Sequence, residues 1–518
     1  MFSTVISGAI YGIQSYLVQV ETDISDGLPV LSMVGFLSAQ VRESGERVRV
    51  ALKNAGIRIP PSRITVNVSP ANIPKYNMIL DLPAAAGILS CLGRIPARSL
   101  ENVFVAGELG LDGEVKPVRG ILAMVEEAAA QGIRLCILPA ANAMEGAVAA
   151  SRFPGMKIAG IGHLSQFMEY LRSGPEERDR IAPPFTADPG RLMQEQAKEQ
   201  DEYDFANVHG QSGAKRALEI AAAGFHNVFM TGPPGSGKSM LSKCIRGILP
   251  PMTLDESMEV SRIYSAAGKL PEERPLIVQR PFQSPHHSVT APALVGGGRL
   301  SSPGILSLAH RGILFLDELP EFGRDTLNLL RQPMEDRQVV ISRLSGSCIY
   351  PARCLVLATA NLCPCGNAPL AKCRCTEREI RRYRAKIPGP IMDRFDICVE
   401  APRTGIDVLM NPAREEPSSA VLERVLRARD MQKERFRDGG IFFNAEIGAG
   451  EIERYCVLGS RQKKLVRQLS ESLSLSARAY HRMLRTARTI ADLAGSGPIL
   501  EEHLAEAAAY RTGAWEQL

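Results

Sequence analysis

Gly232-Pro233-Pro234-Gly235-Ser236-Gly237-Lys238-Ser239 decides the fold of this chain. The stretch fits the pattern G-x-x-x-x-G-K-[ST] of a phosphate-binding loop. Glycines at these positions let backbone N–H groups turn inward around phosphate oxygens, a lysine neutralises the β- and γ-phosphates, and the final hydroxyl ligates Mg²⁺. Lys238 and Ser239 fill the last two roles, so ATP and Mg²⁺ are the expected cofactors. The flanks agree: residues 226–231 read as a buried strand entering the loop and residues 240–245 as the helix leaving it.

Binding a nucleotide does not imply hydrolysis, which needs a metal-holding acid and a group that activates water. Gly312-Ile313-Leu314-Phe315-Leu316-Asp317-Glu318 is an apolar run ending in two acids. A parallel central strand delivers carboxylates to the carboxyl edge of a sheet in this way. Asp317 is the expected second Mg²⁺ ligand beside Ser239, and Glu318 the residue that orients or deprotonates water. A third apolar strand, residues 354–361, ends in Asn361, whose amide suits a sensor of the γ-phosphate. Further on, Pro390-Ile391-Met392-Asp393-Arg394-Phe395-Asp396 holds one arginine in an acidic and aromatic setting. Arg394 either reaches a neighbouring subunit's nucleotide or pairs locally with Asp393 or Asp396.

These motifs, in this order, resemble an AAA+ ATPase of the magnesium-chelatase subunit I branch. Arg280-Pro281-Phe282-Gln283-Ser284-Pro285-His286-His287-Ser288, Leu316-Asp317-Glu318-Leu319-Pro320-Glu321-Phe322, Leu330-Arg331-Gln332-Pro333-Met334-Glu335 and Cys363-Pro364-Cys365-Gly366 narrow the likeness to the YifB/ComM group. The resemblance implies an α/β fold. It consists of a P-loop AAA+ three-layer core, an N-terminal S5/Lon-protease-like α+β domain and a C-terminal helical lid. The boundaries follow composition: 1–172 for the first domain, a charged and Pro-containing linker over 173–203, the ATPase domain over 204–404, and the helical domain over 405–518. Within the first domain, residues 63–68, 104–109 and 135–139 read as strands and residues 41–55 and 121–131 as helices.

At 518 residues the chain has room for several full-sized cores, and a net charge of +5 permits nucleic acid without arguing for it. No 18-residue apolar run and no basic leader are present, so a cytoplasmic protein without a membrane partner is expected. The eleven cysteines include several in apolar strands, among them Cys136, Cys354 and Cys398, which read as reduced core residues. Cys363 and Cys365, followed after seven residues by Cys373 and Cys375, form a denser set. They are either ligands of a structural Zn²⁺ or reduced loop thiols.

The Lon-like first domain raises the possibility of a Ser-Lys protease. The segment resembling the nucleophile loop reads Asp81-Leu82-Pro83-Ala84-Ala85-Ala86-Gly87, with no serine, and Lys116-Pro117-Val118-Arg119-Gly120-Ile121-Leu122 has Leu122 where the likeness places the base. Both halves of the dyad are missing, which argues against proteolysis. In the tail, residues 475–493 read as an amphipathic helix. By resemblance to chelatase-like lids, Arg478 is the sensor-2 arginine that touches the γ-phosphate, with Arg482 as the alternative.

A finger supplied in trans implies a ring, and the family likeness implies a hexamer. It also implies work on DNA: a helicase that moves branched DNA in natural transformation. Two segments are candidates for pore-facing loops that track phosphates: residues 258–295, with Arg280, His286 and His287, and a hairpin over 337–350 with Arg343. The same segments also suit subunit contacts or a grip on protein. A motor for metal insertion is the other reading, although such motors resemble this chain without its first domain.

Overall fold

The computed structural model describes the chain except residues 73–74, 76–77, 198–201, 299–300, 344–345, 369–372, 411–413, 438 and 512–518, and the side chains of 39, 40, 197, 343, 406 and 409. The ATPase core is a five-stranded sheet in the order Phe282–Gln283, Ile313–Leu316, Leu355–Ala360, Val228–Thr231, Ile397–Glu400. All of its pairings are parallel. The three central strands are buried or nearly so along their length, as continuous apolar runs in a sheet covered on both faces must be. One consequence governs the whole molecule. Every strand ends at the same edge, so Gly232, Asp317 and Asn361, each following its strand, emerge together.

Two cores flank this sheet. On one side, the helices Ser212–Gly224, Ser418–Arg435 and Ala477–Leu493 pack with Val228, Phe315 and Leu357. The apolar stripe of the last helix, Met483, Leu484, Ala487, Ile490 and Ala491, supplies its share. The other side holds Phe229, Leu314, Val356 and Phe395. The backbone N–H of Cys398 donates to Tyr510 O at 2.9 Å, so the end of the chain covers the exposed edge of the outer strand.

The first domain is a seven-stranded mixed sheet in the order Val30–Val34, Arg63–Ser69, Gln14–Ser25, Phe2–Tyr11, Val103–Val105, Leu135–Pro139, Lys157–Ile161. Expected helices appear as Ala39–Asn54 and Ile121–Ala130. Residues 104–109, expected as one strand, are two: Val103–Val105 and Glu108–Leu109. At the break the backbone turns to other partners: the Gly107 N–H donates to Ile79 O and the Gly107 carbonyl accepts from the Leu82 N–H, each at 3.0 Å. The segment resembling a nucleophile loop is instead the helix Asp81–Cys91, all of it buried but Ser90. Residues 173–203 carry the helices Pro175–Ile181 and Pro189–Ala197, and Leu192 and Met193 lie against the first domain's core.

The helix Leu254–Ala267 joins the first domain to the ATPase domain. Its Met258 belongs to the first domain's core, and Ser265 Oγ hydrogen-bonds to the buried Glu145 carboxylate at 2.5 Å. Residues 258–267 therefore form an interdomain helix and not the front of a pore loop. Arg280, offered as a phosphate-tracking residue, is buried. Its guanidinium is consumed by Pro250 O at 2.5 Å, Arg311 O at 2.6 Å and Glu256 at 3.0 Å. His286 stays exposed, its ring centroid 4.0 Å from that of His287. The hairpin Gln338–Arg343/Gly346–Pro351 forms as expected, though the Arg343 side chain lies outside the described residues. Gly346 packs on the first domain's Tyr11, and Val340 and Ile349 face outward. Among the described residues, no helix is long and apolar enough to cross a membrane.

Candidate nucleotide site and arginine pocket

The phosphate loop runs from the end of Val228–Thr231 into the helix Lys238–Cys244. Gly237, at φ +84, is the residue before that helix. This left-handed turn, which glycine adopts without strain, points the first helical N–H groups into the loop. Lys238 Nζ donates to Gly232 O at 2.8 Å, Pro233 O at 2.9 Å and Asn361 Oδ1 at 3.2 Å. Burial lowers the Lys238 pKa from that of an ordinary lysine, and the Asp317 and Glu318 carboxylates work against that shift. Ser239 Oγ donates to Asp317 Oδ2 at 3.0 Å. A hydroxyl and a carboxylate in this contact can close on one cation, and hard oxygen donors of this kind suit Mg²⁺. The residues from Pro234 to Met240, Asp317, Glu318 and Asn361 line a common pocket of about 310 Å³.

Thr359 organises the acids and was not apparent from the sequence. Its hydroxyl donates to Asp317 Oδ1 and accepts from the Glu318 N–H, the latter at 3.2 Å. Glu318 holds the left-handed conformation, φ +53, which turns its carboxylate out of the strand line at the pocket. Gln211 was also missed. Its Nε2 donates to Ser236 O at 3.1 Å and to Pro402 O, tying the loop to the far end of Ile397–Glu400. The only sequence signal for it is a Gly-Gln pair opening a helix.

Arg394 and Arg478 are elsewhere. Together with Glu335, Arg482 and Arg485 they line a second, larger pocket of about 380 Å³. Its floor includes Asn227, Val356 and Asp396, at the amino ends of the strands whose carboxyl ends carry the phosphate loop. From Asn227 to Gly232 an extended chain covers about 16 Å. The structure thus groups the six expected residues in two sets: Lys238, Asp317, Glu318 and Asn361 at one edge of the sheet, Arg394 and Arg478 at the other.

Arg394 is 8% exposed. Its Nη2 lies 2.7 Å from Glu335 Oε2, Nε donates to Arg331 O at 2.8 Å, and Nη1 donates to Pro390 O. The local ion pair considered with Asp393 or Asp396 does not form, because Asp396 is engaged elsewhere. It accepts from the Asn227 N–H at 3.1 Å and lies 3.7 Å from Arg482 Nε. Burial disfavours the Asp396 carboxylate, yet His226, Arg482 and Arg485 hold its pKa well below the usual range. Arg482 is thereby a tie between the helical domain and the sheet. Arg478, 66% exposed, has Nη2 3.8 Å from Glu335 Oε1 and remains available.

Cys363, Cys365, Cys373 and Cys375 come together, their sulfurs all within 4.8 Å of one another. Separations of 3.4, 3.7 and 3.7 Å among the first three approach the edge of about 3.8 Å that a tetrahedron with Zn–S of 2.3 Å requires. Backbone N–H groups of Asn367 and Arg374 bring the Cys365 thiol down to about 6, while Cys373 and Cys375, hydrogen-bonded to neighbouring sulfurs and partly desolvated, are pushed up.

Comparison with known proteins agrees with this architecture. Family models match in three places: subunit ChlI of Mg-chelatase over residues 20–142, magnesium chelatase subunit ChlI over 204–408, and the ChlI C-terminal region over 415–511. The chain is 38% identical to Competence protein ComM of Haemophilus influenzae over 98% of its own length and 97% of that protein. It is equally similar, over the same shares, to the uncharacterized protein YifB of Escherichia coli. A magnesium-chelatase 38 kDa subunit from Acidiphilium rubrum is 26% identical over 58% of this chain and 87% of the subunit. With an AAA+ sheet carrying its phosphate loop and acids at one edge, and near-complete coverage of these relatives, the chain belongs to the YifB/ComM family of magnesium-chelatase-like AAA+ ATPases.

Proposed function

We propose that this protein is the subunit of an ATP-driven homo-hexameric ring that acts on single-stranded or branched DNA, as a helicase or branch-migration motor in natural transformation or recombination. The observation that carries the ring is the placement of Arg394 and Arg478 on the sheet edge opposite the phosphate loop. Neither can serve the nucleotide of its own chain along the whole length of the strands, so each acts on the nucleotide held by a neighbour. DNA as the substrate rests on the likeness to a competence protein.

In this reading the bound ATP–Mg²⁺ supplies the phosphoryl group to be transferred. Lys238 and the loop amides hold the β- and γ-phosphates, and Ser239 and Asp317 hold the cation. Glu318 takes the proton of the attacking water, Asn361 fixes its position against the γ-phosphate, and the neighbour's Arg394 and Arg478 neutralise charge that develops in the transition state. Four thiolates of the cysteine cluster hold one structural Zn²⁺.

A motor for metal insertion or protein remodelling is the second reading, favoured by the match of the magnesium-chelatase subunit to 58% of this chain. ATP turnover and particle size, measured with and without single-stranded and branched DNA, separate the two. Turnover that rises with DNA in particles of six subunits supports the ring on DNA; turnover indifferent to every DNA tested overturns it. A Lon-like protease is disfavoured because the Asp81–Cys91 helix has only Ser90 as a hydroxyl nucleophile and the base position is the buried Leu122. ATP-dependent release of peptides from casein would reverse that judgement.

A further inference from the structure

The cysteine cluster lies on the loop that leaves the sensor strand. Asn361 follows Leu355–Ala360 and accepts a hydrogen bond from Lys238 at 3.2 Å; Cys363 comes two residues later. The Gly366 N–H donates to Cys363 O at 3.0 Å, closing a tight turn around Pro364 and Cys365. Gly366 has φ +75, and a Cβ built on it would fall 2.6 Å from Pro234 Cδ and 2.7 Å from Pro234 Cγ. The turn therefore lies against the phosphate loop at a distance that only glycine permits.

Among the described residues, Arg384 Nη2 of the following helix donates to Leu362 O at 3.5 Å, but the loop has little apolar core of its own. Its apolar cluster among the described residues has three buried members, Leu362, Cys363 and Ala368, with Cys373, Cys375 and Ile380 against them. Ordering a loop costs about 1–2 kcal/mol of backbone entropy per residue, which so small a core does not offset. The Ala368 N–H donates to Cys363 Sγ at 3.3 Å, the kind of outer contact that supports a metal-bound thiolate. After Cys375, Thr376 caps the helix Glu377–Arg384 with a full capping box, and Tyr383 of that helix is buried in the core on the sheet's face. A metal at the four sulfurs would thus tie three things together: the sensor residue, the turn against Pro234, and a helix anchored to the sheet.

We propose that this zinc staple is a positioning element of the nucleotide site. It rests on the reading that the four thiols hold Zn²⁺. With the metal in place, Asn361 and the Gly366 turn are held against Lys238 and Pro234. Without it, the phosphate loop loses its wall and nucleotide binding weakens while the sheet stays folded.

The test uses the full-length chain, purified without added zinc. Three quantities are measured: zinc content by elemental analysis, affinity for a fluorescent ATP analogue with Mg²⁺, and thermal melting. Two variants are compared, Cys373→Ser with Cys375→Ser, and Gly366→Ala, which retains every thiol. The expected result is about one zinc per chain in the unaltered protein and in Gly366→Ala, and none in the double cysteine variant. Both variants should bind the nucleotide at least about tenfold more weakly, with the main melting transition retained. Zinc present in the unaltered protein and lost from the double cysteine variant, with affinity unchanged there, overturns the positioning role and leaves the zinc reading standing. Zinc absent from the unaltered protein overturns both. If the double cysteine variant does not fold, Gly366→Ala decides: full zinc with unaltered affinity refutes the proposal.

Discussion

Glu335 Oε2 lies 2.7 Å from Arg394 Nη2, so the residue expected to act on a neighbour's nucleotide is held, within its own chain, by a carboxylate. The other oxygen of Glu335 lies 3.8 Å from Arg478 Nη2. One acid therefore faces both arginines of the second pocket. Glu335 is 44% exposed and Arg394 8%, so the pair is half-buried: water reaches the carboxylate but hardly reaches the guanidinium. A phosphate carries more charge and three acceptor oxygens, and it would outcompete Glu335 for both guanidinium groups. Arg394 also donates to Arg331 O and Pro390 O, so within its own chain it is held at three points, and a neighbour's phosphate would have to displace Glu335 to reach Nη2.

The trans arrangement makes a mixing prediction. Arg394→Ala should leave ATP affinity within about twofold, because the phosphate loop makes the ground-state contacts, and should lower turnover by about 10³-fold. Mixed with Lys238→Ala subunits, it should regain activity. An Arg394→Ala subunit keeps an intact loop and receives Arg394 from its neighbour. Steady-state turnover of defined mixtures checks this, and rings shown to be mixed yet inactive would falsify the trans role.

Two substitutions separate binding from hydrolysis at the first pocket. Lys238→Ala removes the cation hydrogen-bonded to Asn361 and should abolish tight ATP binding, measured by equilibrium titration. Glu318→Gln keeps the shape of an exposed side chain that only water chemistry requires. It should bind ATP normally and hydrolyse it at least about 100-fold more slowly in single-turnover assays. A Glu318→Gln protein that fails to bind would make the residue a structural one.

Relief of the Glu335 pair is testable in the same assays. Glu335→Gln keeps an acceptor oxygen for the buried Arg394 guanidinium and should lower the melting temperature by only a few degrees. With both arginines less tightly held, half-maximal turnover should be reached at a lower protein concentration. A higher threshold would show that Glu335 aligns Arg394 for its neighbour and does not restrain it.

Residues whose positions depend on one strand and its end were legible in the sequence. Asp317 and Asn361 each close a buried apolar run, and parallel pairing does the rest of the work by bringing strand ends to one edge. Arg478 was legible as a helix-opening arginine but its location was not. That location is set by contacts distant in sequence, such as Arg482 with Asp396 and the Tyr510 carbonyl on Cys398. Arg280 misled because a cation in a polar stretch reads the same whether solvated or fully bonded to carbonyls. Thr359 was hidden for a different reason: within Leu355–Ala360 a threonine is an ordinary β-branched strand residue, and only the register against Ile313–Leu316 brings its hydroxyl to Asp317.

Thr359 yields the prediction that most directly tests the geometry of the site. Its side chain is fully buried, accepts from the Glu318 N–H and donates to Asp317. Thr359→Val preserves volume and strand propensity but removes both hydrogen bonds, leaving Asp317 with the Ser239 hydroxyl in the pocket and the turn at Glu318 unsupported. Loss of two such bonds should cost about 1–3 kcal/mol of stability, a fall in melting temperature of several degrees. The larger effect should be on turnover, because a Glu318 carboxylate displaced by even a fraction of an ångström no longer faces the water. A decrease of about 10- to 100-fold, with ATP affinity changed only a few-fold, is expected. Thr359→Ser keeps the hydroxyl and should recover most of the rate while losing some stability to the missing methyl group. If Ser and Val behave alike in turnover, the hydroxyl does not organise the acids, and the positive φ of Glu318 must be maintained by the backbone of the Leu319–Glu321 turn alone.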